Sequence, residues 1–176
     1  MSTINILAKL EQQGRLVNFL PNLASDESDI RELYILPSLN AWLKKDMEKP
    51  RMQENQAAVN AHLTEFIKGA LIDNQDFMKC LDPNNEGVWA LRVRYTTRGI
   101  QYRVFGAFIN KDCFFATHLK ERKEFLSYKH WEPEIKKVKY EWNKLFNGHL
   151  IIQKKSFKEL VDNGEERAYK NKKKRP

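Results

Sequence analysis

Apolar residues recur at two periods along this chain, and the change of period divides it. Ile4, Leu7 and Leu10 have near-helical spacing, and Gly14 follows as a stop signal. The apolar run Leu16–Leu20 is closed by Pro21, and Ser25–Asp29 is a polar, acidic loop. Leu33–Leu36 reads as a short strand, and Pro37 suits the first turn of the helix after it. Leu39, Trp42, Leu43 and Met47 then line one helical face until Lys49-Pro50 breaks the pattern. Val59, Leu63, Phe66, Ile67 and Ala70 predict a second helix, antiparallel to the first. Asp82–Gly87 is a turn cluster. Beyond it the period falls to two. Val88–Tyr95, Ile100–Ile109 and Cys113–Lys120 are β-prone runs, separated by Thr97-Arg98-Gly99 and Asn110-Lys111-Asp112, connections short enough for hairpins. Helical spacing returns from Pro133 through Ile135, Val138, Trp142, Leu145 and Phe146, and Gly148 ends it. Ser156–Val161 allows one more short helix, and Lys170–Pro176 has nothing to bury and is expected to be disordered.

The predicted architecture is α+β: an N-terminal strand and helix pair packed on an antiparallel meander, followed by a C-terminal helix. Residues 1–29 and 149–176 flank a domain of 30–148 as extensions. Alternation along the strands sorts the meander into faces. Trp89, Leu91, Val93 and Tyr95 oppose Val88, Ala90, Arg92 and Arg94; Tyr102, Val104, Gly106 and Phe108 oppose Gln101, Arg103, Phe105 and Ala107. In the third run Cys113, Phe115, Thr117 and Leu119 oppose Phe114, Ala116, His118 and Lys120. One face is thus expected under the helices and the other partly open, carrying cationic or titratable groups.

Charge sharpens this picture. The net charge is +8 over 176 residues, but residues 1–87 hold 9 basic and 13 acidic side chains, and residues 88–176 hold 22 basic and 10 acidic. The second half therefore invites a polyanionic partner. Two cysteines, Cys80 and Cys113, are too few for a disulfide framework and read as plain thiols. No apolar run approaches the ~18 residues of a membrane span, and the N-terminus lacks a secretion-signal layout. A cytoplasmic protein without membrane contact is the expectation.

The open face offers groups suited to phosphate chemistry. Arg92, Arg94 and Arg103 carry planar forks for phosphate oxygens, and His118 can exchange protons near neutral pH. Lys120, Arg122 and Lys123 extend the positive surface. Residues 88–123 hold no carboxylate cluster for divalent ions, so a two-metal nuclease is disfavoured and no cofactor is expected. On residues alone, Arg92 and Arg94 serve equally well to solvate an exposed face, and His118 to satisfy a structural need. Trp89, Phe108 and Phe115 belong to the core rather than to a base-stacking platform. His62, His130 and His149 have no spacing signal.

The order of Val88-Trp89-Ala90-Leu91-Arg92-Val93, Ile100-Gln101-Tyr102-Arg103-Val104-Phe105 and Phe115-Ala116-Thr117-His118-Leu119-Lys120 resembles the RelE/ParE toxin superfamily, most closely its HigB-like, phage-derived branch. Tyr34-Ile35-Leu36-Pro37 and Glu132-Pro133-Glu134-Ile135 are similar to the start and the late segment of those proteins. The resemblance spans roughly residues 30–146. It departs at residues 1–29, at Ala90 where an acid is common, at a longer Phe125–Trp131 segment, and beyond Gly148.

The resemblance implies a toxin of a type II toxin–antitoxin pair that cleaves mRNA without metal, as most such members do, usually in the ribosomal decoding site. It implies Arg103 and Arg92 on the scissile phosphate, His118 as acid or base, and Lys120 as a charge stabiliser. Arg94, Arg122, Lys123 and Gln101 would hold flanking RNA, and a cognate antitoxin would cover the basic face. The alternatives are a ParE-like gyrase inhibitor without catalysis and an inactive phage-derived nucleic-acid-binding module.

Overall fold

A computed structural model describes residues 3–21, 30–70, 77–81, 87–94, 99–124, 131–149, 151–153 and 157–162. The turn residues 82–86 and 97–98, Tyr95, the 125–130 segment and the basic tail lie outside the described residues. The chain is α+β, built on a six-stranded mixed sheet. In chain order the elements are α1 (Thr3–Gln12), β1 (Val17–Asn18), β2 (Glu32–Ile35), α2 (Pro37–Lys44), α3 (Pro50–Ile67), β3 (Met78–Cys80), β4 (Val88–Val93), β5 (Tyr102–Asn110), β6 (Cys113–Glu121), α4 (Glu132–Phe146) and α5 (Phe157–Leu160). The strand order is β1-β2-β6-β5-β4-β3, with β2 parallel to β6 and every other pair antiparallel. The strands β1 and β3 escape sequence reading because they are two and three residues long, too short to establish a period.

Pro37 and Pro50 open α2 and α3, where the missing N–H costs nothing. Asn147, with φ 35°, already turns left-handed at the end of α4, one residue ahead of Gly148. The residues Leu39, Leu43, Val59, Leu63, Phe66 and Ile67 of α2 and α3 pack on Trp89, Leu91, Val93, Val104, Phe108 and Phe114.

The opposite face is not left open as the alternation suggested. Leu7 and Leu10 of α1 join Ile135, Val138, Trp142, Leu145 and Phe146 of α4 over Val88, Ala90, Phe105, Ala107 and Phe115. Those sheet positions are small or aromatic, so this face carries an apolar half that needs a cover. Among the described residues of this face, Arg92, Arg94 and Lys120 keep partial exposure.

A second correction concerns β6. Phe105 pairs with His118 but Gly106 pairs with Ala116, so Thr117 is one residue too many. This β-bulge reverses the alternation. Phe114 and Ala116 lie with the α2–α3 side, Cys113 and Phe115 with the α4 side, and His118 and Lys120 return to the α4 side beyond Thr117. Strict alternation grouped Phe114 and Ala116 with His118 and Lys120, and the bulge is why that grouping fails.

The flanking segments belong to the same packing. Leu7, Leu10 and Leu16 are buried on the α4 side, and Leu160 and Val161 on the α2–α3 side. Arg31, with a fully covered side chain, holds the C-terminal segment in place. It donates to the carbonyls of Phe66, Ala70 and Asp162 and pairs with Asp112 at 3.5 Å. Asp112 Oδ1 in turn accepts from the Asp162 amide. No described helix is long and apolar enough to cross a membrane.

His62 on α3 is half-buried against the Phe77 ring, 4.1 Å between centroids, and its Nε2 has no hydrogen-bond partner. Burial pushes its pKa down to about 4, against a weaker upward pull from a Phe77 backbone hydrogen bond and Glu65. A folded pKa below the ordinary value means that stability is complete above about pH 6.5 and is lost as pH falls towards 4. Urea unfolding at pH 7 and pH 5 should show the difference shrink by about 2 kcal/mol in His62→Leu. An unchanged difference would place the acid sensitivity elsewhere.

Candidate nucleic-acid interface

The strand register sets three cations in one row. Arg92 on β4 faces Arg103 on β5, and Arg103 faces Lys120 on β6. Like charges directly opposite each other destabilise a sheet by a few tenths of a kcal/mol to about 1 kcal/mol. A chain that places three in register accepts this cost, which an anion laid across the row would remove.

Arg103 sits at the centre and is only 5% exposed. Its Nη1 donates to the Tyr102 carbonyl at 2.9 Å, and its Nη2 lies 3.5 Å from Gln101 Oε1. Burial, then Arg92, Arg122 and Arg94, pull its pKa down to about 10. It stays charged at neutral pH, and the shift identifies the groups that crowd it. Four guanidiniums therefore converge where β4 ends and β5 begins. Arg94 is half-buried just past β4, Gln101 is exposed just before β5, and Arg122 and exposed Lys123 lie in the 3₁₀ turn after β6. Lys123 pairs with Glu121 at 2.5 Å.

His118 lies in the next row, opposite Phe105, with the two rings stacked at 4.8 Å. It is 8% exposed, and both of its nitrogens are engaged. Nδ1 is 2.7 Å from Thr117 Oγ1, and Nε2 is 2.7 Å from Glu134 Oε2. Glu134 also holds Lys120, with Oε1 2.6 Å from Nζ. Burial raises the Glu134 carboxyl, but the hydrogen bonds from Lys120 and His118 outweigh it and leave the pKa below the ordinary value. Burial also drives His118 down to about 4, assisted by Lys137 and opposed by Glu134. Lys120 already neutralises the carboxylate, so a neutral imidazole meets no unbalanced charge. In that state Nε2–H donates to Glu134, and Nδ1 competes with the Phe105 carbonyl for the one Thr117 hydroxyl proton.

Arg92, Arg103, Arg94, Gln101, Arg122 and Lys123 gather at one end of the sheet, where Gln101 and Lys123 are exposed, Arg92, Arg94 and Arg122 are half-buried, and Arg103 is as covered as His118. The Lys120 side chain is 38% exposed beside them, whereas His118 is under α4. Proton exchange between His118 and a substrate requires Glu134 Oε2 to leave Nε2.

Glu134 is the participant that residue-type reasoning passed over. Its spacing carries the signal: Glu134, Val138 and Trp142 follow at i, i+4 and i+8 on the buried stripe of α4. An acid on an apolar stripe needs a buried partner. Among the described residues, no group of three or more His, Cys, Asp or Glu side chains is placed to hold a metal ion. Comparison with protein-family models, curated proteins and solved structures finds no match to this chain.

Proposed function

We propose that this chain is the toxin of a type II toxin–antitoxin pair of the RelE/ParE kind, acting in the cytoplasm as a metal-independent mRNA endoribonuclease. The observation that carries the reading is the Arg92–Arg103–Lys120 row, cationic across three strands, with Arg92 and Lys120 partly exposed on either side of a covered Arg103. The chain order β2, α2–α3, meander, α4 is compatible with the strand, helix pair, meander and C-terminal helix that the resemblance implies, and supports the same reading.

Cleavage of this type forms a bond from a ribose 2′-oxygen to phosphorus and breaks the bond to the 5′-oxygen. The 2′ proton passes to a base, and the leaving oxygen takes a proton from an acid. Arg92 and Arg103 neutralise charge on the non-bridging oxygens, and Lys120 stabilises the charge growing in the transition state. His118 exchanges protons once an anion competing for Lys120 loosens Glu134. A cognate antitoxin with an acidic or amphipathic segment would close the same row.

The covered imidazole favours one second reading, a binding protein without catalysis, whether a gyrase inhibitor or a nucleic-acid module. Inducible expression with mapping of new RNA 5′ ends separates the two. The proposal expects growth arrest with new mRNA ends carrying 5′-hydroxyls, and at least ~10²-fold fewer of them with His118→Gln. Equal cleavage by His118→Gln would make that residue structural. Arrest with intact mRNA and a DNA-damage response would replace the nuclease with the inhibitor.

A further inference from the structure

A groove of about 490 Å³ opens beside the cationic row, on the side of the sheet that carries α3. It is lined by Arg51 from the first turn of α3, Gly99, Ile100 and Gln101 before β5, and Glu121, Arg122 and Lys123 after β6. Two features connect it to the row. Gln101 lines the groove and lies 3.5 Å from Arg103, and the Arg122 amide donates to the Gln101 carbonyl at 2.7 Å. A strand of RNA held by Arg92 and Arg103 on the α4 side can therefore place a neighbouring nucleotide in the groove by passing round the strand ends at Gln101 and Arg122.

The lining is not that of a simple phosphate site. A pocket for phosphate alone has no use for a carboxylate, yet Glu121 forms part of this wall. The Tyr102 hydroxyl is 3.5 Å from Glu121 Oε1, and Lys123 lies on Oε2. Lys123 is mostly exposed and its flexible stem can swing aside, which would free a carboxylate edge facing the groove. Two parallel acceptor oxygens match the adjacent N1–H and N2–H₂ donors of guanine. Adenine, cytosine and uracil do not present two neighbouring donors on one edge. Guanidinium forks match guanine O6 and N7, and Arg51 and Arg122 supply them. Ile100 and Gly99 give the apolar, low-profile surface that a flat ring needs.

We propose that this groove holds a guanine base of the bound RNA next to the scissile phosphate, with Glu121 as the residue that selects it. The inference rests on the nucleic-acid reading of the cationic row, but it does not require cleavage. A guanine-selective groove would make cleavage sites follow a fixed position relative to G.

Binding of GMP, AMP, CMP and UMP to the full chain, measured by calorimetry, tests it. Wild type should bind GMP about tenfold or more tightly than the other three, the scale of one bidentate base contact. Glu121→Gln should erase the preference while keeping phosphate-driven binding. Arg51→Gln, at an exposed position in the first turn of α3, should weaken GMP binding and leave the fold intact. Equal affinity for all four nucleotides, or a guanine preference that survives Glu121→Gln, would overturn the assignment. Selective GMP binding by a chain that leaves mRNA intact would sink the nuclease and keep the groove. Cleavage with no guanine preference in either binding or cut sites would do the reverse.

Discussion

Arg103→Gln should abolish growth arrest and lower RNA cleavage by at least ~10²-fold, while the protein stays folded. Arg103 is the middle member of the row and the point on which Arg92, Arg94 and Arg122 converge. Its replacement removes the proposed central phosphate ligand and also two like-charge cross-strand pairings, with Arg92 and with Lys120. The second effect stabilises the sheet by a few tenths of a kcal/mol per pair. Loss of activity should therefore come with an unchanged or slightly raised unfolding midpoint. That combination separates a functional arginine from a structural one, because a buried structural arginine costs stability when truncated. A variant that stays toxic, or one whose inactivity tracks loss of fold, would remove Arg103 from the site.

Gly106→Ala should destabilise the chain by about 3 kcal/mol or more, and should disrupt the site along with the fold. Gly106 is on β5, between β4 and β6, where the register shifts at the bulge. A Cβ there would come within 2.0 Å of the Phe115 carbonyl oxygen and 2.7 Å of the Phe114 ring. Backbone in the middle of a sheet cannot give way as a flexible side chain can. The same close approach lets β6 accommodate Thr117 as an extra residue, which turns His118 and Lys120 towards Arg103. Chemical denaturation measures the loss. A midpoint within experimental error of wild type would mean that the bulge does not depend on this glycine.

Much of the fold was legible because the long elements repeat their period. Pro37, Pro50 and Pro133 stand in the first turns of α2, α3 and α4, and most of each apolar stripe is buried as its spacing required, whereas Trp42 is half-buried and the predicted Met47 and Ala70 lie beyond the ends of α2 and α3. The meander follows from alternation and hairpin length, but Lys120 joins Arg92 and Arg103 only because the Thr117 bulge shifts the phase of β6. What alternation cannot supply is a change of phase. The Thr117 bulge moves Phe114 and Ala116 to the other side from His118, and nothing in the residue types marks it except the adjacent strand's glycine. Nor did the strand pattern reveal the cover supplied by α1 and α4, since Val88, Ala90, Phe105 and Ala107 read as a mixed face until their partners are known. Arg31 was equally hidden: its acceptors Phe66, Ala70 and Asp162 lie up to 131 positions away in the chain.

The closed state of His118 also explains why a residue can be correctly placed yet inaccessible. Sequence alternation puts it on the face of Arg103, and a single carboxylate from a distant helix then determines whether it meets solvent. Glu134 binds Lys120 and His118 at once, so a phosphate that recruits Lys120 weakens the contact that covers the imidazole.

The most direct test of the cationic row is the salt dependence of single-stranded RNA binding, measured by fluorescence anisotropy for wild type, Arg92→Gln, Arg103→Gln and the surface control Lys136→Gln. Each phosphate contact on a single strand contributes about 0.7 to the slope of log affinity against log salt. Arg92→Gln and Arg103→Gln should each reduce the slope by roughly that amount, and Lys136→Gln should leave it unchanged. Identical slopes for all four proteins would show that RNA does not lie on this row.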